Sequence, residues 1–298
     1  MAGQSDDQNR LYQRDSKYIP RVAAVHDMCG YGKCSLTAAI PILSAAGCDV
    51  CPVPTALFSA HTMFKDYTFH DTTEMLPGYL DAWQKEGVEL DGIYSGFLGS
   101  AEQVDIIQRM YREYPKALRL VDPVMGDGGS MYPTYTEEMC RAVTNLVDGA
   151  DLLMPNLTEV SLLTGIDYEG QDLDDAQVGE RLGRLLDMGA KNVIIKGIDR
   201  KDGKLRNFVA SADHGGVSER TELVHDKLPF MIHGTGDAFA SSLCGALFTG
   251  RGLADAARIA GEFVRSAMQH TRNQPDYQQR GVSFELDLGQ MTALVQEL

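Results

Sequence analysis

Short apolar runs alternate with amphipathic stretches of about 10 to 15 residues along most of this chain, and that rhythm limits the folds open to it. Strands are predicted at 21–26, 48–53, 66–70, 92–96, 117–121, 150–154 and 192–195. Helices are predicted at 35–46, 72–86, 101–114, 136–146, from 155 onward, and at 172–188. The segment 54–62 reads as irregular and apolar, and 128–133 as flexible. Strand–helix alternation of this kind builds an α/β, three-layer αβα architecture, a mostly parallel central sheet with helices on both faces. The rhythm breaks over 204–231, where runs at 208–211 and 222–225 flank Asp213-His-Gly-Gly216 and predict hairpin-like strands. Further helices are expected at about 253–270 and 288–298. With no internal repeat and no linker, residues 18–298 read as a single domain behind a polar extension, 1–17, expected to be disordered or loosely docked.

A formal net charge of -15 argues against nucleic acid or an anionic membrane as the main partner. No apolar run approaches the ~20 residues that span a bilayer, and the polar start lacks the apolar core of a signal peptide. Six scattered cysteines fit a reducing cytoplasm. Cys48-Asp-Val-Cys51 has C-x-x-C spacing, but no second pair completes a zinc set.

The most informative stretch is Gly234-Thr235-Gly236-Asp237, followed by small and apolar residues to Leu247. A helix is expected to begin near Asp237, with Gly234 and Gly236 free to take positive φ and admit a ligand to the backbone. Unpaired N–H groups at a helix start form an anion site. A carboxylate there is suited to accepting a proton from a hydroxyl that attacks a bound phosphoryl group. The same four residues also fit a capped turn without chemistry.

In open α/β sheets ligands bind beyond the carboxyl ends of the strands. The residues just past the predicted strand ends are Asp27, Ser95-Gly96, Asp122, Asn156 with Glu159, Lys196, and Gly234 to Asp237. Asp122 and Glu159 offer the hard oxygens that hydrated Mg²⁺ accepts, and Lys196 a point charge for phosphates. Taken one at a time, Asp122 and Asn156 beside prolines are equally good turn formers. The loop 27–33 is neither of two familiar nucleotide motifs. Cys34 follows Gly32-Lys33 where a P-loop needs Ser or Thr, and Ser35 stands where a dinucleotide fingerprint needs glycine.

The pieces Val25-His-Asp27 with Gly30-Tyr-Gly32, Phe58-Ser-Ala-His-Thr62, Ser95-Gly-Phe-Leu-Gly-Ser100, Val121-Asp-Pro-Val-Met-Gly-Asp127, Met154-Pro-Asn-Leu-Thr-Glu159 and Gly234-Thr-Gly-Asp237 together resemble the pyridoxal kinase branch of the ribokinase-like superfamily. The likeness runs over roughly 21–270. It implies ATP-dependent phosphorylation of the 5′-hydroxymethyl group of a vitamin B6 vitamer (pyridoxal, pyridoxine or pyridoxamine), with Mg²⁺ and, in some members, a monovalent cation such as K⁺. It further implies a homodimer.

Residue by residue, the resemblance makes Asp237 the base and the amides of Gly234, Thr235 and Gly236 the anion hole. Asp122 and Glu159 would organise Mg²⁺ through water, while Asn156 and Lys196 lie along the phosphates beside Thr235. Phe58, His61, Thr62, Asp27 and Phe97 would line the pyridine pocket, and 127–132 would form a flap over the nucleotide. Asp27 and Phe97 depart from the serine and tyrosine frequent in the family. An ionised Asp27 favours a protonated ring nitrogen, whereas serine serves either state. Asp237 need not have a raised pKa, since the helix dipole favours its ionised form. The alternatives are a hydroxymethylpyrimidine kinase, against which 58–62 argues, and a non-catalytic vitamer-binding paralogue.

Overall fold

The structure, a computed structural model, describes residues 9–213 and 216–298. In chain order its strands are β1 (Arg21–Cys29), β2 (Asp49–Phe58), β3 (Phe69–Asp71), β4 (Gly92–Ser95), β5 (Leu118–Val121), β6 (Gly126–Asp127), β7 (Ser130–Met131), β8 (Leu152–Leu153), β9 (Asn192–Ile198), β10 (Lys204–Asp213) and β11 (Gly216–Asp226). Its helices are α1 (Leu36–Ala45), α2 (Leu76–Lys85), α3 (Glu102–Glu113), α4 (Glu137–Thr144), α5 (Leu157–Thr164), α6 (Asp175–Asp187), α7 (Thr235–Phe248), α8 (Leu253–Thr271), α9 (Tyr277–Arg280) and α10 (Leu288–Gln296).

Nine strands form one sheet in the order β11-β10-β9-β8-β5-β4-β1-β2-β3. The stretch from β9 to β2 is parallel, and the marginal pairs β9–β10, β10–β11 and β2–β3 are antiparallel. Period-two alternation sorts β1 between two cores. Val22 and Ala24 join Leu36, Leu243 and Ala256 on the face covered by α1, α7 and α8. Ala23 and Val25 join Leu76, Ile107, Val160 and Leu182 on the face covered by α2, α3, α5 and α6. This is the expected αβα sandwich. Gly245 is what brings α7 close to α1, since a Cβ there would lie 2.8 Å from the Cβ of Ala46.

Two expectations are corrected. Residues 54–58 are not irregular but continue β2. Pro52 and Pro54 are tolerated because β3 pairs only with Ala56 to Phe58, which leaves the preceding part of β2 as a sheet edge. Residues 126–131 form a small hairpin, β6–β7, rather than a flexible tract. Gly128 and Gly129 supply φ of 59° and 84°, the pair of positive values that a tight two-residue turn demands.

Of the extension, expected to be disordered or loosely docked, only part is described. Residues 9–17 are docked across the end of the sheet opposite the strand carboxyl ends. Arg14 donates to the carbonyls of Ala46 and Gly47 just past α1, at 3.2 and 3.0 Å. The Tyr12 hydroxyl donates to Asp91, and its ring meets Phe248 edge-on at 5.0 Å. Residues 1–8 and 214–215 lie outside the described residues, and with them part of the Asp213-His-Gly-Gly216 segment that the sequence reading places between the two strands.

Candidate active site

Of the residues singled out from the sequence, Asp27, Phe58, His61, Thr62, Phe97, Asp122, Asn156, Glu159, Lys196 and Gly234 to Asp237 line one cavity of about 330 Å³ at the carboxyl ends of the parallel strands, whereas Ser95 and Gly96 do not line it. β1 delivers Asp27, β5 delivers Asp122 one residue past its end, and α5 delivers Glu159 in its first turn. Lys196 lies within β9 rather than beyond it, because that strand continues to Ile198.

The glycine turn has two different glycines. Gly234 caps α7 at φ 83°, and a Cβ on it would come within 2.4 Å of the Lys33 carbonyl oxygen, so only glycine fits. Gly236 is already helical, contrary to the expected positive φ. A Cβ there would meet nothing nearer than Lys196 Nζ at 3.9 Å. What its missing side chain keeps clear is the cavity, not the backbone. The helix starts at Thr235, two residues before the expected point, with no side-chain cap on its first amides. They remain available to an anion.

Lys196 Nζ donates to Asp122 Oδ1 at 2.6 Å. Glu159 is held by a reciprocal capping box. It accepts the Asn156 N–H on Oε2 at 2.7 Å while Asn156 Oδ1 accepts the Glu159 N–H at 2.9 Å. The Asn156 amide also donates to the Gly126 carbonyl at 2.9 Å, and Gly129 N–H donates to Thr158 Oγ1 at 2.9 Å. The β6–β7 hairpin is thereby tied to α5 over the cavity.

Burial pushes the carboxyls of Asp122 and Glu159 upward, and Lys196 partly opposes it. Asp237 is likewise raised by burial, against a hydrogen bond from the Ser35 backbone and the charge of Lys196. The raised value of Asp237 is not required by the sequence reading, which rests on the helix dipole favouring the ionised form; burial supplies the opposing cause. Three carboxyl groups thus face one lysine, and burial favours their protonated forms, which a bound cation would shift toward ionisation.

At the other end, Asp27 is buried, which raises it to about 6, and the Ser35 hydroxyl counters this. Phe58 and Phe97 meet edge-on at 5.8 Å, forming an apolar wall. His61 packs against His233 with ring centroids 4.6 Å apart and tilted by 42°, and burial together with that neighbour lowers it to about 4, so it is neutral at pH 7. Thr62 lines the same end from an exposed position. His26 is a core residue packed on Tyr94, held neutral by burial.

Sequence reasoning missed Ser35, which touches both Asp27 and Asp237 from a strained φ of 50°. No local signal marks a serine for that conformation. It also missed an apolar lobe made by Leu205, Leu228, Phe230, Ile232, Val264 and Met268. These lie on β10, the segment after β11, and α8, and converge only through the antiparallel margin.

Comparison with known proteins agrees with this geometry. The phosphomethylpyrimidine kinase family matches residues 34–281. A pyridoxine/pyridoxal/pyridoxamine kinase of Bordetella avium is 32% identical over 265 residues, covering 84% of this chain and 85% of its own. A hydroxymethylpyrimidine/phosphomethylpyrimidine kinase of Haemophilus influenzae is 31% identical but over 186 residues, 60% of this chain and 65% of its own. Among solved structures, a Bacteroides thetaiotaomicron protein described as a phosphomethylpyrimidine kinase, in a crystal form with pyridoxal, superposes with a TM-score of 0.86 at 33% identity. That match covers 92% of this chain and 96% of the other. The pyridoxal kinase of Lactobacillus plantarum gives 0.85 at 27% identity, over 94% and 99%. The chain belongs to the phosphomethylpyrimidine kinase family, within its vitamin B6 kinase branch.

Proposed function

We propose that this kinase transfers the γ-phosphoryl group of ATP to the 5′-hydroxymethyl group of a vitamin B6 vitamer. The observation that carries the reading is the placement of Asp237. Its carboxylate shares one cavity with uncapped helix amides, a lysine and two further acids on one side, and with Asp27 and an aromatic wall on the other. In a loose phosphoryl-transfer transition state the protein mainly positions groups and neutralises oxygens. The amides at the start of α7 and Lys196 hold the phosphate oxygens. Asp237 accepts the hydroxyl proton, and Asp27 faces the ring nitrogen while Phe58 and Phe97 confine the ring.

The donor set fits Mg²⁺ held through water. Asp122 is already paired with Lys196, and both Glu159 oxygens accept backbone N–H groups at 2.7 and 3.4 Å, so direct ligation would break the helix cap. When bound there, Mg²⁺ neutralises phosphate charge.

Two further readings concern assembly and compartment. A homodimer is favoured by exposed Leu57, Met63 and Phe69 around the unpaired margin of β3, and sedimentation tests it. No helix among the described residues is long and apolar enough to cross a membrane, and six free cysteines favour a reducing compartment such as the cytoplasm.

The deciding experiment is ADP release from Mg-ATP with pyridoxal, pyridoxine, pyridoxamine and hydroxymethylpyrimidine, in K⁺ and in Na⁺ buffers. Turnover of the vitamers is expected. Preference for the pyrimidine would assign the runner-up activity, and tight vitamer binding without ADP release would make the protein a non-catalytic binder.

A further inference from the structure

Asp27 does not face the cavity alone. Cys29 Sγ lies 3.3 Å from Asp27 Oδ2, and Cys34 Sγ lies 3.2 Å from Cys29 Sγ. All three side chains are buried, their ligand atoms fall within 4.8 Å of one another, and all three line the cavity. The geometry points to a binding site for a thiophilic divalent cation, Zn²⁺ or a chemically similar ion, occupying the vitamer end of the cavity and excluding the vitamer.

The donor set selects the ion. Two sulfurs and one carboxylate are a soft-to-borderline set that favours Zn²⁺ or Cd²⁺ over Mg²⁺, whereas Asp122 and Glu159 present only oxygen. With Zn–S bonds of about 2.3 Å, a tetrahedral site needs its sulfurs about 3.8 Å apart, so the pair has only to open by about half an ångström. Three protein ligands leave the fourth position to water on the cavity side.

The site is held in shape by its loops rather than assembled by chance side-chain rotation. Gly30 N–H, just after Cys29, donates to the Phe58 carbonyl at 2.8 Å, fixing the end of β1. Before Cys34, Lys33 N–H donates to the Arg280 carbonyl at 3.0 Å. After it, the Thr37 hydroxyl donates to the Cys34 carbonyl at 2.7 Å. Gly32, at φ 90°, leaves no room for a Cβ, which would lie 2.0 Å from the His61 ring.

Binding is a ligand substitution with no change of oxidation state. Each thiol gives its proton to solvent and its sulfur lone pair to the cation, so two protons leave per ion when Asp27 is already ionised. The cation then occupies the space in front of Asp27, and the enzyme is inhibited competitively toward the vitamer.

The test is titration of the reduced, nucleotide-free full chain with Co²⁺, with thiol counting to confirm six free cysteines beforehand. A thiolate-to-cobalt charge-transfer band in the near ultraviolet is expected, displaced by Zn²⁺ but not by Mg²⁺. The Cys29→Ser/Cys34→Ser double variant should lose the band, with Co²⁺ affinity at least about tenfold lower, the low end of what loss of even an outer-shell partner costs. Its Mg-ADP binding shows that it is folded. In the wild-type chain, saturating pyridoxine should weaken Co²⁺ binding, a readout that needs no variant. A wild-type protein without the band, a double variant that keeps it, or Co²⁺ affinity indifferent to pyridoxine in a chain that turns pyridoxine over would each overturn the assignment. The inference uses the vitamer placement proposed above only for the competition arm. Thiolate-bound Co²⁺ in a protein that turns over no vitamer would leave the site standing and sink the kinase reading instead.

Discussion

Lys196 Nζ lies 2.6 Å from Asp122 Oδ1, joining the ninth strand to the loop after the fifth across the floor of the cavity. Both side chains are largely buried, 11% and 2% exposed, so removing one partner strands the other's charge. Breaking a fully enclosed pair costs ~3–5 kcal/mol, and the open cavity side reduces that here. Lys196→Met is expected to lower unfolding free energy by about 2–3 kcal/mol in urea denaturation, as well as slowing turnover. Adding Asp122→Asn should restore stability in part but not activity, because the phosphate contact stays lost.

Asp237→Asn keeps the shape of the first turn of α7 and removes the proton acceptor. We expect kcat to fall by at least ~100-fold, the low end for general-base contributions, with the Kd for Mg-ADP nearly unchanged. Wild-type kcat in this variant would remove Asp237 from the chemistry.

The two glycines of the turn should fail differently. Gly234→Ala places a methyl group against the Lys33 carbonyl at positive φ, and a loss of about 2 kcal/mol or more is expected in thermal or urea unfolding. Gly236→Ala has room and a helical backbone, so stability should hold or rise slightly. Its methyl group projects toward Lys196 in the cavity, so the expected damage is a higher KM for ATP and a lower kcat.

Glu159→Gln separates the two roles of that residue. Glutamine can still accept the Asn156 N–H of the capping box and removes the ionisable group. Burial raises the Glu159 carboxyl, so the folded chain keeps a proton that the unfolded chain releases. That stabilising contribution is complete below the unfolded value of ~4.3 and is lost as pH rises through the higher folded value. Nucleotide-free wild type should therefore lose Tm with rising pH more steeply than the variant. Mg-ADP should bind the variant more weakly.

Asp27 gives a different pH signature. Its carboxyl is raised to about 6, so the ionised form that attracts a ring N–H builds up as pH climbs through that value. The acid limb of kcat/KM for the vitamer is expected there, and Asp27→Asn should flatten it while leaving KM for ATP largely unchanged. An unaltered limb in the variant would assign it to another group.

How much of this was written locally in the chain differs from element to element. The strand–helix alternation gave the sheet because each apolar run needs a partner on both faces. The acids at strand ends converge because parallel strands share one carboxyl rim. The sequence marks β2 only as far as Val53, and the free edge that lets the strand continue through Pro54 shows only once its pairing neighbours are known. The Gly128-Gly129 turn read as mobile, yet those residues are fixed by the positive φ that they alone permit cheaply. The raised state of Asp237 depends on what surrounds it, and no local pattern encodes that. Ser35 and the apolar lobe beyond β10 arise from contacts between segments far apart in the chain.

The contact between Gly234 and the Lys33 carbonyl has a consequence for how this enzyme can change. The same carbonyl lies 2.9 Å from where a Cβ on Gly281 would stand, so Lys33 wedges three loops against one another. The loop that bears on ring recognition and the turn that bears on transfer have no slack between them. Substitutions that retune which vitamer is accepted will therefore shift the phosphate cradle as well, and selectivity and speed are bound to evolve as one trait.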